Sequence, residues 1–463
     1  MYNKKVRSEI MKIPVEKNKS YTFEIIDMNH EGVGIAKIDG FAIFVHGGIT
    51  GDKLEARVIS TKKNYAVALK ERIIQPSDKR VAPVCPIFEQ CGGCQIMDMD
   101  YSAQLQLKTQ IVANEMKRNG VEYGTLYDTL GMENPYYYRN KAQFPVGIQD
   151  GQLRIGFYEK RSHNIVNLDT CYIQHQANDR LIEALRQVIL SQGVSVYDES
   201  SHRGLLRHIL TKTSFRTGDM MVVLVINGKA LPQQQQIIEA ITKALPEIKS
   251  IHLNINDKKT NVILGAQTTC IYGEPELKDY IHDLAFVISP ASFFQVNPAQ
   301  TEVLYDKALE YAELTGQETV YDLYCGAGTI SLFLAQKAKQ VYGIEIVPQA
   351  IENAKINAQN NHITNAEFHA GAAEEVFPVL YKQGKKADVV VVDPPRKGCD
   401  QQVLDTILQM APQRIVYVSC GPASLARDLK YLQDNGYKVD KIQPVDMFSH
   451  SVHVECVVKI ERR

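Results

Sequence analysis

Residues 318–347, ETVYDLYCGAGTISLFLAQKAKQVYGIEIV, constrain the fold more than any other stretch. An apolar strand-like run meets a glycine turn, then a run with helical spacing, then a second strand. Two such strands separated by a helix pair in parallel through a right-handed crossover, the unit of a doubly wound sheet. Gly326 and Gly328 permit a tight turn and close backbone approach to a ligand. Glu345, about 20 positions after the turn begins, is placed for a ribose hydroxyl pair. Both nicotinamide and S-adenosylmethionine enzymes use this arrangement, and two details favour the latter. Ser331 stands where a dinucleotide fingerprint has its third glycine, and Asp322 precedes the turn, where a carboxylate repels a pyrophosphate and attracts the ammonium of a methionine moiety. Downstream, ADVVVVDPPRKG brings Asp393 to the carboxyl edge of the sheet, and RIVYVSC brings Cys420 to the same edge.

Free cysteine is among the most buried residue types, so packing is the first explanation for Cys420. Its place at the ligand-binding edge favours catalysis. An exocyclic amine needs no thiol to accept a methyl group, whereas a pyrimidine C5 becomes nucleophilic only after a thiolate adds to C6, and a base must then remove the C5 proton. Glu455, in PVDMFSHSVHVECVVKI and framed by His450 and His453, is the candidate base, since a carboxylate in an apolar strand is costly unless paired or used. Cysteine-dependent cytosine enzymes usually place their thiol directly after the first prolines, whereas here Asp393-Pro394-Pro395 is followed by Arg396 and the nearest thiol is Cys399, a difference from that pattern that points to uracil rather than cytosine.

A chain of 463 residues predicts two or three domains. From Tyr21 to Ile74, short alternating runs separated by glycines read as a five-stranded oligonucleotide-binding barrel. Residues 1–82 hold fifteen Lys or Arg against ten Asp or Glu, in a chain whose net charge is −1, so this module is the basic part of a mildly acidic protein and suits phosphate contact. A cysteine-rich loop at 85–94 and an amphipathic helix over 102–119 follow, the latter predicted to pack on the catalytic domain. A mixed α+β region then runs to about residue 285, with helices near 179–192 and 232–245. Within it, YYYRNKAQF interleaves aromatics with Arg139 and Lys141, as RNA-stacking surfaces do, or as a half-buried strand with snorkelling cations does. The predicted domains are 15–74, 75–285 and 286–463. No apolar run approaches the roughly 18–20 residues that span a bilayer, and the basic first twenty residues have no apolar export segment, so a cytoplasmic location is expected. Cys85, Cys91 and Cys94 in CPIFEQCGGC, with Cys171 to complete the set, suit zinc or an iron–sulfur centre, and their spacing does not choose between them.

Taken in order, FFQVNP, DLYCGAGT, GIEIV, DPPRKG, SCGPASLARDL and DMFSHSVHVE resemble the motifs of the bacterial uracil-C5 RNA methyltransferases, most of all those acting on large-subunit ribosomal RNA. The likeness covers nearly the whole chain. It implies a TRAM barrel, a cysteine-cluster central domain and a class I, Rossmann-like methyltransferase domain. It further implies that Gln295, Tyr324, Glu345 and Asp393 bind S-adenosylmethionine, that Cys420 is the nucleophile and Glu455 the base, and that Cys85, Cys91, Cys94 and Cys171 hold a [4Fe-4S] cluster. The implied substrate is 23S RNA, at a loop or single-stranded uridine, modified by a monomer with no obligate protein partner. A transfer-RNA uracil methyltransferase and a non-catalytic RNA-binding protein are the alternatives. One departure is Gly421, where the family usually has Asn after the nucleophile.

Overall fold

The computed structural model describes residues 13–463, so most of the basic N-terminal segment lies outside the described residues. The described residues form two compact units, one of residues 13–83, 95–107 and 450–452, the other of 84–94, 108–449 and 453–463.

In the first unit, β1 (Ser20–Glu24), β2 (Asp27–Met28), β3 (Gly34–Ile38), β4 (Phe41–His46), β5 (Lys53–Thr61) and β6 (Tyr65–Gln75) form one sheet in the order β1-β5-β6-β4-β3-β2. Six strands stand where the sequence suggests five, because TFEIIDM changes partner midway. Ile25 N donates to Asp52 O beside β5, and Ile26 N to Ile35 O on β3. The two ends of the sheet are thus consecutive in the chain, which curls it into a barrel. Alternate residues of β4 point inward, Phe41, Ile43 and Val45 being buried. Burial alone would raise the Asp52 carboxyl, but the Arg80 guanidinium, 2.5 Å away, and two backbone N–H groups hold it below its usual value.

The helix α1 (Tyr101–Asn119) starts among residues of the first unit and ends in the second, which continues with β7 (Tyr123–Leu126). Next come β8 (Lys141–Gln149), β9 (Gln152–Tyr158), β10 (Ile165–Asn167), α2 (Ala177–Ser191), β11 (Leu206–Thr213), β12 (Met220–Ile226), α3 (Gln234–Ala244), β13 (Ile248–Ile255) and β14 (Gln267–Gly273). Their strands make a seven-stranded sheet in the order β10-β9-β8-β11-β12-β13-β14. The interior strand β12, MMVVLVI, is buried at every position, as a continuous apolar run requires. β15 (Leu277–Ile281) and β16 (Leu284–Ile288) form a hairpin.

The remaining elements alternate: α4 (Pro298–Ala312), β17 (Thr319–Leu323), α5 (Thr329–Ala335), β18 (Gln340–Glu345), α6 (Pro348–Asn360), β19 (Ala366–Ala370), α7 (Ala373–Lys382), β20 (Val389–Val392), α8 (Gln401–Met410), β21 (Arg414–Ser419), α9 (Pro422–Asp434), β22 (Tyr437–Val445) and β23 (Glu455–Arg462). The sheet runs β19-β18-β17-β20-β21-β23-β22-β7. Strands β17 to β21 are parallel, and β23 is inserted antiparallel between β21 and β22. Strand order reverses between β17 and β20, and ligands of doubly wound sheets bind at the carboxyl ends beside that switch. The edge strand β7, which pairs parallel with β22, was not foreseen: YGTL is mostly exposed and carries a glycine, so it lacks the apolar alternation of a strand. Among the described residues, no helix is long and apolar enough to cross a membrane.

Candidate active site

The parallel strands deliver their carboxyl-terminal residues to one edge. Tyr324 follows β17, Glu345 ends β18, Asp393 follows β20 and Cys420 follows β21. Because β23 is antiparallel, it starts where its neighbours stop, and Glu455 is its first residue. Ser419 pairs with Cys456, so the register sets Cys420 beside Glu455. A cavity of about 730 Å³ opens there, lined by Gln295, Tyr324, Glu345, Asp393, Cys420 and Glu455 among others. All six residues singled out in the sequence therefore share one cavity, of a size suited to a nucleoside-sized ligand and a base together.

The glycine turn has the conformation its residues permit. Gly326 and Gly328 have φ of +56° and +80°, and Gly326 N donates to Glu345 Oε2 at 3.2 Å, while Val347 N donates to Glu345 Oε1 at 2.9 Å. Tyr324 also has positive φ, +70°, a costly conformation for an aromatic residue that is held by its N–H on Ile344 O. Asp322 takes part in the turn itself through one of its carboxylate oxygens. It is fully buried, lies outside the cavity lining and accepts a 2.5 Å hydrogen bond from Ser331 Oγ, so Ser331 and Asp322 brace the turn from beneath.

Three acids share the catalytic end. Burial lifts Asp393 to about 6. Burial, then the charge on Asp393, lifts Glu455 to about 8. Burial, then Glu455 and Asp393, lifts the Cys420 thiol to about 11. The Arg396 guanidinium opposes the rise at both Glu455 and Cys420, and it is the cationic residue that sequence reasoning left without a role. Its signal was its place in DPPRKG, one residue past the turn at the ligand edge.

Gly421 is the N-cap of α9, directly after Cys420. A Cβ there would lie 2.9 Å from Ser424 Oγ and 3.1 Å from Arg396 O. Ser424 Oγ donates to both Arg396 O and Gly421 O, at 2.8 and 3.0 Å, tying the Arg396 loop to the Cys420 turn. The space that an Asn side chain would enter is therefore filled by this link.

Two buried lysines, also unforeseen, hold the cavity walls. Lys108, on α1 and wholly buried, donates to the Asp446 carboxylate and, at 2.9 Å, to the carbonyl of Phe448, a cavity residue. Lys212, whose pKa burial and then Lys141 lower to about 7, donates to Ser289 O and Ser292 O at 2.7 Å each, and both serines line the cavity.

Cys85, Cys91, Cys94 and Cys171 lie within electrostatic reach of one another. Cys94 is pushed up by burial and then by the other three thiols, and Cys171 rises to about 12. Gly93 N donates to Cys91 Sγ at 3.4 Å. Among the described residues, however, no three His, Cys, Asp or Glu side chains are close enough to hold one metal ion, so the expected ligand set is not formed as a single-ion site.

Residues 100–463 match the tRNA (uracil-5-)-methyltransferase family, and residues 14–68 match the TRAM domain. An uncharacterized RNA methyltransferase of Clostridium tetani is 52% identical over 446 residues, 96% of this chain and 97% of that protein. Another, of Halalkalibacterium halodurans, is 51% identical over 449 residues, covering 97% and 98%. Among solved structures, the Pyrococcus abyssi tRNA (uracil-54, C5)-methyltransferase in complex with S-adenosyl-L-homocysteine superposes with a TM-score of 0.77 at 28% identity, covering 95% of this chain and 100% of that one. The C-terminal doubly wound sheet is that of a class I methyltransferase, and the chain belongs to the tRNA (uracil-5-)-methyltransferase family of enzymes, with a TRAM domain at its N-terminal end.

Proposed function

We propose that the protein methylates uracil C5 in 23S ribosomal RNA, with S-adenosylmethionine as methyl donor, and that it works as a cytoplasmic monomer. The observation that carries the chemistry is the convergence of Cys420, Glu455 and Asp393 on the cavity that also holds the glycine turn and Glu345. S-adenosylmethionine supplies a sulfonium methyl group. Glu345 and the turn take its ribose end, and Gln295, Tyr324 and Asp393 orient the rest. Cys420 Sγ adds to C6 of an extruded uracil, which makes C5 the nucleophile that takes the methyl. Glu455 then removes the C5 proton, the C5–C6 double bond re-forms and the thiolate leaves. Arg396 favours the ionised forms of both groups.

The assignment to ribosomal RNA rests on the motif resemblance. Transfer RNA is the second reading, favoured by a solved transfer-RNA enzyme that aligns along 95% of this chain. A barrel therefore does not separate the two. The test is nucleoside mass spectrometry of 23S RNA and of transfer RNA, each from cells lacking the gene, after reaction with the enzyme. 5-Methyluridine in 23S RNA alone is expected. Its appearance only in transfer RNA would transfer the assignment, and methylation at nitrogen or oxygen would overturn it. Glu455→Gln should also stall as a covalent protein–RNA adduct, visible on a denaturing gel, which Cys420→Ala cannot form.

The proposed organisation is barrel 15–74, central domain 75–285 with α1 serving the catalytic domain, and catalytic domain 286–463. We also propose that Cys85, Cys91, Cys94 and Cys171 hold a [4Fe-4S] cluster. Four sulfurs with no oxygen donor among them suit zinc as well as an iron–sulfur centre, and the choice of the cluster rests on the motif resemblance; a cluster also separates its thiolates more than one ion does. Anaerobically purified protein should contain iron and acid-labile sulfide, and Cys85→Ser should lose both. Zinc without iron would refute this assignment.

A further inference from the structure

A second cavity, of about 590 Å³, lies behind the wall of the first. The partition is the stretch Met447–Ser449. Phe448 lines the active-site cavity, while the carbonyls of its neighbours accept hydrogen bonds from two residues of the second cavity: Met447 O from Asn297 Nδ2 at 3.1 Å, and Ser449 O from Tyr138 OH at 3.2 Å.

The second cavity is built from aromatic rings in an unusual way. Tyr136, Tyr137 and Tyr138 all line it, although consecutive side chains of an extended run face opposite sides. Tyr137 breaks the alternation by adopting φ of +55°, a costly conformation for a bulky residue, with its N–H fixed on Tyr172 O at 2.8 Å. Opposite stands Phe215, 42% exposed, whose ring meets His175 edge to face at a centroid distance of 5.1 Å. Among the described residues, the wall carries Glu133 and neither lysine nor arginine. A phosphate would be repelled there. The uncharged, flat part of a nucleotide would not, and its hydrogen-bond donors could meet the Glu133 carboxylate.

We propose that this cavity holds an unpaired base of the substrate RNA, from a nucleotide within a few positions of the methylated uridine. The proposal rests on the RNA-methylation reading above. A uridine drawn into the active site brings its neighbours along the backbone, and an aromatic chamber one wall away receives one of them. The base then contributes to choosing the site through the sequence or looping around the target rather than through the uracil itself.

The test uses the full-length protein and a synthetic RNA hairpin centred on the uridine mapped by mass spectrometry, intact or with one abasic nucleotide at each of the three positions on either side. For the wild-type protein, one abasic position should weaken binding about tenfold, the scale of one lost base stack. Phe215→Ala should weaken binding of the intact RNA to a similar extent and produce no further loss with that abasic RNA, whereas Phe215→Tyr should restore both affinity and coupling. Equal binding of intact RNA by Phe215→Ala and wild type, or losses that multiply at every abasic position, would overturn the proposal while leaving wild-type methylation intact. Absence of 5-methyluridine formation by the wild-type protein on every RNA would instead remove the underlying reading, and this inference with it.

Discussion

Replacing Glu455 with Gln should make the protein more stable, by an amount that depends on pH in a calculable way. The Glu455 carboxyl is 6% exposed, and burial followed by the charge on Asp393 raises it from 4.5 to about 8. A carboxyl raised on folding holds its proton more tightly in the native state. Wild type and Gln variant should therefore be alike below pH 4.5, and the wild type should lose ground as pH rises through 8. At pH 7 the displacement counts for roughly 2.5 units, on the order of 3 kcal/mol, and it levels off above pH 8 near 5 kcal/mol. Glutamine has the shape of the protonated acid, so packing changes little. Urea unfolding of both proteins at pH 5, 7 and 8.5 gives the measurement. The midpoint difference should be small at pH 5 and favour the variant increasingly up to 8.5. A difference that stays flat with pH, or that favours wild type at 8.5, would mean that Glu455 ionises as an ordinary carboxylate and is not strained for use as a base.

Arg396→Gln removes the cation that opposes the rise of both Glu455 and Cys420, so the ascending limb of kcat/KM between pH 6.5 and 10 should move about one unit alkaline, with about a tenfold loss at pH 7; an unmoved limb would remove Arg396 from the mechanism. Gly421→Asn forces a Cβ to 2.9 Å from Ser424 Oγ and should cost roughly 1–2 kcal/mol in thermal stability, part of which Ser424→Ala in the same chain recovers. Lys62→Ala with Lys63→Ala, two exposed lysines just after β5 of the barrel, should lower the slope of log affinity against log salt by about 1.4 if both meet phosphates of single-stranded RNA. Filter binding across salt concentrations reads that slope, and no change would show that this corner of the barrel does not touch RNA.

The parallel core was legible where its strands are short apolar runs ended by a residue with a clear chemical or conformational demand. VVVV before Asp393 and RIVYVS before Cys420 are buried almost throughout, as their composition requires. The barrel's strand count was misread for a definite reason. TFEIIDM alternates without a break, and the change of hydrogen-bond partner at Ile25 and Ile26 needs no glycine or proline to mark it. β7 was missed because an exposed edge strand needs little apolar character. In these cases the information lies in long-range pairing, which local pattern does not carry.

The cavity divides along the same line. Residues that the proposed chemistry requires to be a particular type, Cys420 and Glu455, stood out in the sequence because a thiol or a carboxylate at the end of an apolar strand is an anomaly there. Residues that hold the cavity wall did not stand out, because a lysine, whether on a helix like Lys108 or on a strand like Lys212, reads as a solvent-facing cation. Lys108 and Lys212 are buried instead, and each donates to main-chain carbonyls of the cavity wall, where removing a charge-assisted hydrogen bond leaves a buried acceptor unpaired. Asp322 is the converse case. Its sequence position suggested a ligand contact, and the structure adds a role that pattern could not show: its Oδ2 accepts from Ser331 Oγ and so shapes the glycine turn. The wall of the site is thus set by buried polar groups whose partners are distant in sequence, Lys108 with Asp446 and Lys212 with Ser289 and Ser292. Under the proposed function, specificity for one RNA over another has to be sought in such walls, and in the chamber behind them, rather than in Cys420 and Glu455.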